Sequence, residues 1–150
     1  MMRSKGLLFV PLLLLLLAAC SPGTSAGGAP QPTALHVTRN ALPEYTFPAV
    51  DVTIRDVAAV QRLYQSAYAL QHARGGPYLC FADIGLEYQI DFLQGTTILQ
   101  HMRLDVTGCQ FLQIDHEQPV RLTNQAFRNL FSQTTGISPL APTLPGHTSF

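Results

Sequence analysis

The chain has 150 residues, with nine basic and nine acidic side chains and no tryptophan. That length accommodates one domain rather than two. Balanced charge with no basic run excludes the counterion-release term by which proteins grip nucleic acid.

Residues 1–19 read as an export leader. Arg3 and Lys5 form a positive start, and Gly6 to Leu17 is an uninterrupted apolar run. A helix needs about 20 apolar residues to cross a bilayer core, so the run is too short for a permanent span and long enough for a signal peptide. Leu17-Ala18-Ala19-Cys20 closes it. This tetrapeptide resembles the lipobox of bacterial lipoproteins. The resemblance implies diacylglycerol on the Cys20 thiol, cleavage before Cys20 and anchorage of the exported chain to a bilayer. Two or three acyl chains hold firmly, because each buried CH₂ contributes roughly 0.8 kcal/mol. Ser21 after the cysteine would permit outer-membrane sorting in a diderm host. An ordinary secreted chain with a cysteine at this point is the competing reading. Without Arg3 and Lys5 the exported chain keeps seven arginines, nine acids and no lysine.

Residues 20–46 are expected to be a flexible tether. Its first part, Ser21 to Pro32, is rich in Gly, Pro, Ser and Ala and has almost no large apolar side chain with which to offset ordering entropy. Residues 138–150, with Pro139, Pro142, Pro145 and Gly146, are expected to trail as a disordered tail. The folded domain is then 47–137. At that size a hydrophobic core is marginal without a staple.

Within it, Val50, Val52 and Ile54 alternate with Asp51 and Thr53, which predicts a strand. Asp56 is the expected N-cap of a helix reaching about Leu70. Its apolar positions are Val57, Val60, Leu63, Tyr64, Ala67 and Tyr68. Gly75-Gly76-Pro77 excludes its continuation. The period then becomes two. Leu86, Tyr88, Ile90 and Phe92 share one face, and Ile98, Met102, Leu104 and Val106 share another after the turn at Gln94-Gly95-Thr96. Joining the apolar faces predicts a hairpin with Phe92 opposite Ile98, Tyr88 opposite Met102 and Leu86 opposite Leu104. A third strand places Leu112 and Ile114 beside Leu104 and Met102, and Val120 to Leu122 can form a fourth. Thr123 or Asn124 caps a last helix with Ala126, Phe127, Leu130 and Phe131 as its stripe, and Gly136 ends it. The expected fold is α+β, a curled antiparallel sheet of about four strands with two helices packed on one face.

With Cys20 taken by lipid, Cys80 and Cys109 remain as a pair in an oxidising compartment, and a disulfide between them is expected. The predicted register, extended outward, places Phe81 opposite Cys109, one residue from Cys80. A redox or catalytic thiol is the rival. No C-x-x-C is present, and no histidine or asparagine is visibly arranged around either cysteine.

Catalytic and cofactor signatures are absent: the sequence contains no G-x-S-x-G, H-E-x-x-H, P-loop or G-x-G-x-x-G. No cofactor and no metal are expected. His36 and His147 fall in the expected tether and tail, His72 near a helix end, and His116 between Asp115 and Glu117 in a turn. The polar face of the hairpin is the candidate binding surface. Glu87, Gln89, His101, Arg103 and Asp105 lie on it, with Glu87 expected opposite Arg103, Gln89 opposite His101 and Asp91 nearby. The competing view is an ordinary exposed sheet face with a weak cross-strand ion pair.

Cys80-Phe81-Ala82-Asp83-Ile84-Gly85-Leu86-Glu87-Tyr88, together with Gly108-Cys109, resembles a pattern in small uncharacterised lipoproteins of actinobacteria and their neighbours, many of which have Pro where this chain has Phe81. The resemblance implies the disulfide and an α+β fold, and brings no activity. The expected function is therefore a membrane-anchored, non-enzymatic binding module outside the cytoplasm. Its expected partners are the lipid bilayer and an envelope protein, polymer or small ligand; an inhibitor of secreted enzymes is one form of it. A small envelope hydrolase using Glu87, His101 and Asp105 is the alternative, and a purely structural envelope component a third.

Overall fold

The computed structural model describes residues 30–138, apart from 46, 76, 81 and 82. The expected leader, Cys20, the first part of the tether and the tail from residue 139 lie outside them. The order is β1 (Ala34–Arg39), a 3-10 turn at Pro43–Tyr45, β2 (Val50–Ile54), α1 (Val57–Tyr68), β3 (Glu87–Gln94), β4 (Thr97–Asp105), β5 (Phe111–Ile114), β6 (Arg121–Leu122) and α2 (Gln125–Thr135). Among the described residues the fold is α+β, with two helices and an open antiparallel sheet of six strands in the order β2-β1-β3-β4-β5-β6.

The extra strands correct the expected count of four, and β1 also corrects the tether. From Ala34 onward the chain is a strand inserted between β2 and β3, and Leu35 and Val37 are fully buried. Its own alternation, Leu35 and Val37 against His36 and Thr38, suits a half-buried strand. What makes it form is the pairing on both sides, since a single ladder of six residues contributes too little to hold an isolated strand.

The helices form where the caps dictate. The Asp56 carboxylate accepts the Ala59 amide at 3.0 Å, and Asn124 accepts from Phe127 at 2.8 Å. Gly136 ends α2 in the left-handed region at φ 71, where its N–H donates to the Ser132 carbonyl at 2.8 Å. The two stripes are narrower than expected. Val57 and Ala126 are exposed, while Val60, Leu63 and Ala67 of α1 and Phe127 and Phe131 of α2 are buried.

The hairpin is real, but its register differs by two residues from the expected one. Tyr88 pairs with Leu104, Ile90 with Met102 and Phe92 with Gln100. The tip is a two-residue turn, Gly95-Thr96, with Gly95 at φ 62 and Gln94 opposite Thr97. A bulge between Phe92 and Leu93 then absorbs one residue of β4. The bulge turns Ile98 out of the apolar face, and it is 55 % exposed. Gln100 takes the place opposite Phe92, where its side chain accepts from the Tyr68 hydroxyl at 3.0 Å and donates to the His101 carbonyl at 2.9 Å. On β5, Leu112 and Ile114 pair with Leu104 and Met102 as expected.

One apolar cluster joins these elements. It contains Leu35, Val37, Tyr88, Ile90, Phe92, Met102, Leu104, Leu112 and Ile114 from the sheet with Val60, Leu63, Ala67, Phe127 and Phe131 from the helices. Tyr64 of α1 meets Phe92 edge-on at 4.9 Å, and Phe131 of α2 meets Tyr88 at 5.6 Å. Among the described residues no helix is long and apolar enough to cross a membrane.

Candidate functional site

Residues paired across neighbouring strands share a face, so the register defines a polar surface. One row runs Asp51–Thr38–Gln89–Arg103–Gln113 across β2, β1, β3, β4 and β5. The next runs Thr53–His36–Asp91–His101. Glu87 stands opposite Asp105. All five residues of the expected binding face, Glu87, Gln89, His101, Arg103 and Asp105, therefore lie on one surface, although their direct opposites differ from those expected. The expected contacts survive as diagonals. Glu87 reaches Arg103 at 3.9 Å, and Gln89 Oε1 lies 2.9 Å from His101 Nε2.

His101 is the most constrained of the five. Its Nδ1 lies 2.5 Å from Asp91 Oδ1, so both ring nitrogens are engaged. Gln89 in turn donates to Glu87 at 2.5 Å. Asp91, His101, Gln89 and Glu87 thus form a side-chain chain along the surface. The ring is held at an angle set by two partners rather than free to sweep the surface. His36, expected in an unstructured tether, is instead fixed to Asp51 at 2.9 Å.

At the other end of the face, two turns place carboxylates together. Asp83 accepts the Gly85 amide at 2.9 Å, and Asp105 accepts the Thr107 amide at 2.9 Å. Each is an Asx turn, in which a carboxylate bonds the backbone two residues on. Gly85 sits at φ 70 and Gly108 at φ 55, angles that favour glycine. The buried Thr107 hydroxyl donates to Asp83 at 3.2 Å and lies 3.4 Å from Asp105. Burial pushes the Asp105 carboxyl above the usual carboxylate range, with Asp83 and Glu87 adding like charge and the Thr107 hydrogen bonds opposing. Cys80 and Cys109 stand at disulfide distance beside these turns, with Cα atoms 4.7 Å apart. Phe81, expected opposite Cys109, lies outside the described residues.

Two cavities of about 210 Å³ each open on this end and share Glu87. One is lined by Thr38, Arg39, Asn40, Leu42, Gly85, Glu87 and Gln89. The other is lined by Glu87, Arg103, Asp105, Phe111, Gln113 and Val120. Tyr78, from the segment leading to Cys80, packs edge-on against Phe111 at 5.2 Å. Leu79 beside it is 83 % exposed. His101 lines neither cavity.

The other two described histidines, His72 and His116, make no part of the face, and His147 lies outside the described residues. His72 Nδ1 lies 3.0 Å from the Pro119 carbonyl, and His116 is exposed in a turn at φ 65. Among the described residues no three His, Cys, Asp or Glu side chains are placed to hold a metal ion. The sequence reading missed Phe111, Gln113 and Val120 as cavity walls. The strand order carries that information, since only the neighbouring strand β5 and the segment before β6 bring them beside Glu87. It also missed Arg39 and Arg121, both buried. Arg121 is fully engaged by Glu117 at 2.8 Å and by the Tyr68 and Leu70 carbonyls at 2.8 and 2.9 Å. Arg39 donates to the Tyr88 hydroxyl at 2.6 Å and to the Pro48 carbonyl, lies over the Phe47 and Tyr88 rings, and leaves Nε without a partner. No family model, curated protein or solved structure matches this chain.

Proposed function

We propose that the chain is an exported lipoprotein, anchored by acyl groups on Cys20, whose small domain binds an envelope component on the polar sheet face beside the Cys80–Cys109 pair. In this reading it is a member of the small lipoproteins that its cysteine pattern resembles. Both helices pack on the apolar face of a curled sheet, leaving the opposite face for recognition. In this reading the tether ends before Pro32, which is buried, and Thr33, whose amide donates to the Leu93 carbonyl at 2.7 Å.

The observation that carries the binding reading is the pair of cavities meeting at Glu87. Shallow polar clefts over a rigid sheet suit recognition more than chemistry, because catalysis needs titrating groups gathered in a water-excluding pocket. The second cavity combines Glu87 and Asp105 with one arginine and an aromatic wall. That set suits a polar ligand carrying a cationic group on an apolar body.

A photo-crosslinking side chain at position 87 or 103, in cells making the full chain, should form an adduct with an envelope component. The same probe at Gln125, exposed on α2, should not. Equal labelling from all three positions, or none from 87 and 103, overturns the binding reading. Anchorage is tested separately by the mass of the isolated chain, which should begin at Cys20 and carry acyl groups.

The hydrolase alternative retains one specific support, the raised Asp105 carboxyl beside Glu87. Its third member, His101, is held by Asp91 and Gln89 away from both cavities. Enzymatic use would therefore rest on the two carboxyls alone. Any activity should disappear in Asp105→Asn and persist in His101→Ala.

A further inference from the structure

The two edges of the sheet are treated differently. Beyond β6 the chain closes its own edge: Ala73 donates to the Val120 carbonyl at 2.7 Å, Leu122 donates to the Gln71 carbonyl at 2.8 Å, and His72 bridges Arg121. At the other edge, among the described residues, the β2 backbone bonds only to β1. Such an edge is a template for another strand, and proteins usually blunt it with lysine, proline or a bulge. Here Val50-Asp51-Val52-Thr53-Ile54 contains neither residue, its one charged side chain is the Asp51 carboxylate held by His36 at 2.9 Å, and its pairing with β1 runs without a register shift. Val50, Val52 and Ile54 belong to the apolar face but are only partly buried, whereas Leu35 and Val37 on the adjacent strand are fully buried. The apolar layer stops short at this edge.

We propose that two copies of this chain pair through β2, antiparallel about a two-fold axis at Val52, giving one continuous sheet across both. Self-complementarity selects the second copy as occupant. A two-fold axis perpendicular to the sheet keeps each apolar face on the same side, so facing residues must have the same parity. Centred on Val52, all five residues pair: Val52 with its own copy, Val50 with Ile54, and Asp51 with Thr53. The apolar edge is then covered by an identical apolar edge, and each Asp51 carboxylate faces a hydroxyl donor. Centring on Asp51 would oppose two carboxylates, which is unfavourable, and centring on Thr53 would leave Val50 and Asp51 without strand partners. A five-residue ladder buries less than the roughly 800 Å² per partner of a standard interface, so the association depends on concentration. It leaves the polar face open and does not rest on the binding reading above.

The test is site-directed disulfide trapping in the full chain, within the membranes or extract where it accumulates. Directly opposed residues bring Cβ atoms within about 4.5–5.5 Å, and diagonal neighbours only within about 7–8 Å. Val52→Cys should therefore yield a covalent dimer on mild oxidation. Asp51→Cys or Thr53→Cys alone should give about tenfold less. Co-producing Asp51→Cys with Thr53→Cys should restore the dimer, because those two positions face each other across the axis. The mass of the unsubstituted chain, measured at rising concentration, should shift from monomer to dimer without any variant. A strictly monomeric mass, equal trapping by Val52→Cys and Thr53→Cys, or a Val52→Cys adduct with a different protein would each overturn the proposal.

Discussion

Tyr88→Phe probes a buried charge that has no carboxylate partner among the described residues, the Arg39 guanidinium. Its Nη1 donates to the Tyr88 hydroxyl at 2.6 Å, Nη2 donates to the Pro48 carbonyl, and Nε has no partner. Removing the hydroxyl leaves the ring, its contact with Phe131 and the core volume unchanged. What is lost is a second hydrogen bond to a buried cation. Bonds to charged groups are worth about 1.5–3 kcal/mol, so about 2 kcal/mol is expected. A kilocalorie shifts Tm by roughly 4–8 °C in a domain of this size, which places the loss near 10 °C. Arg39→Met removes the donor instead, and the double variant should lose about 1.5–3 kcal/mol less than the two single losses added together.

The assay is thermal and urea unfolding of all four chains, followed by circular dichroism under oxidising conditions. Burial raises the Tyr88 phenol above its ordinary value, with Arg39 opposing. A proton held more tightly in the folded state contributes stability that is complete below the unfolded phenol pKa of about 10 and is lost as pH rises through the folded value. The Tyr88→Phe penalty should therefore shrink above that pH. Tyr88→Phe as stable as the parent, or additive with Arg39→Met, would show that the guanidinium does not depend on this bond.

Asp105→Asn should stabilise the fold at neutral pH, because burial and the neighbouring Asp83 and Glu87 raise its carboxyl while an asparagine carbonyl still accepts from Thr107. Folded Asp105 binds its proton more tightly than the unfolded chain does. The advantage of the variant should therefore vanish below the unfolded carboxyl pKa, about 3.9, in unfolding midpoints taken across pH. Gly108→Ala should cost about 1–3 kcal/mol in urea unfolding. The new Cβ would meet Asp83 Cβ at 2.9 Å on a backbone at φ 55. Asp56→Ala, which strips the cap of α1, should cost about 1 kcal/mol, and Asp56→Ser should recover most of it.

Local chemistry was legible wherever a short-range rule applied. Asp56 and Asn124 cap helices because a carboxylate or amide oxygen reaches an orphan amide within one turn, and Gly136 ends α2 because the required left-handed angle favours glycine. The alternations after Leu86 identified β3, β4 and β5, and the polar parity of β3 and β4 was enough to name Glu87, Gln89, His101, Arg103 and Asp105 as co-facial. Parity survives a shift of two residues, which explains why the five residues share one surface although their opposites differ from those expected.

Three things required the folded chain. The register of β3 on β4 depends on a two-residue turn and a bulge, and the apolar pattern alone is equally satisfied two residues away. The strand Ala34–Arg39 lies beside residues poor in apolar side chains, and its burial is supplied by β2 and β3, elements distant in sequence. The cavities exist because Phe111, Gln113 and Val120 arrive beside Glu87 through strand order. A sequence determines those properties that the atoms of a few neighbouring residues can settle by hydrogen bonding, sterics and periodicity. Pairings between distant segments are settled only when all of them compete for the same apolar layer at once.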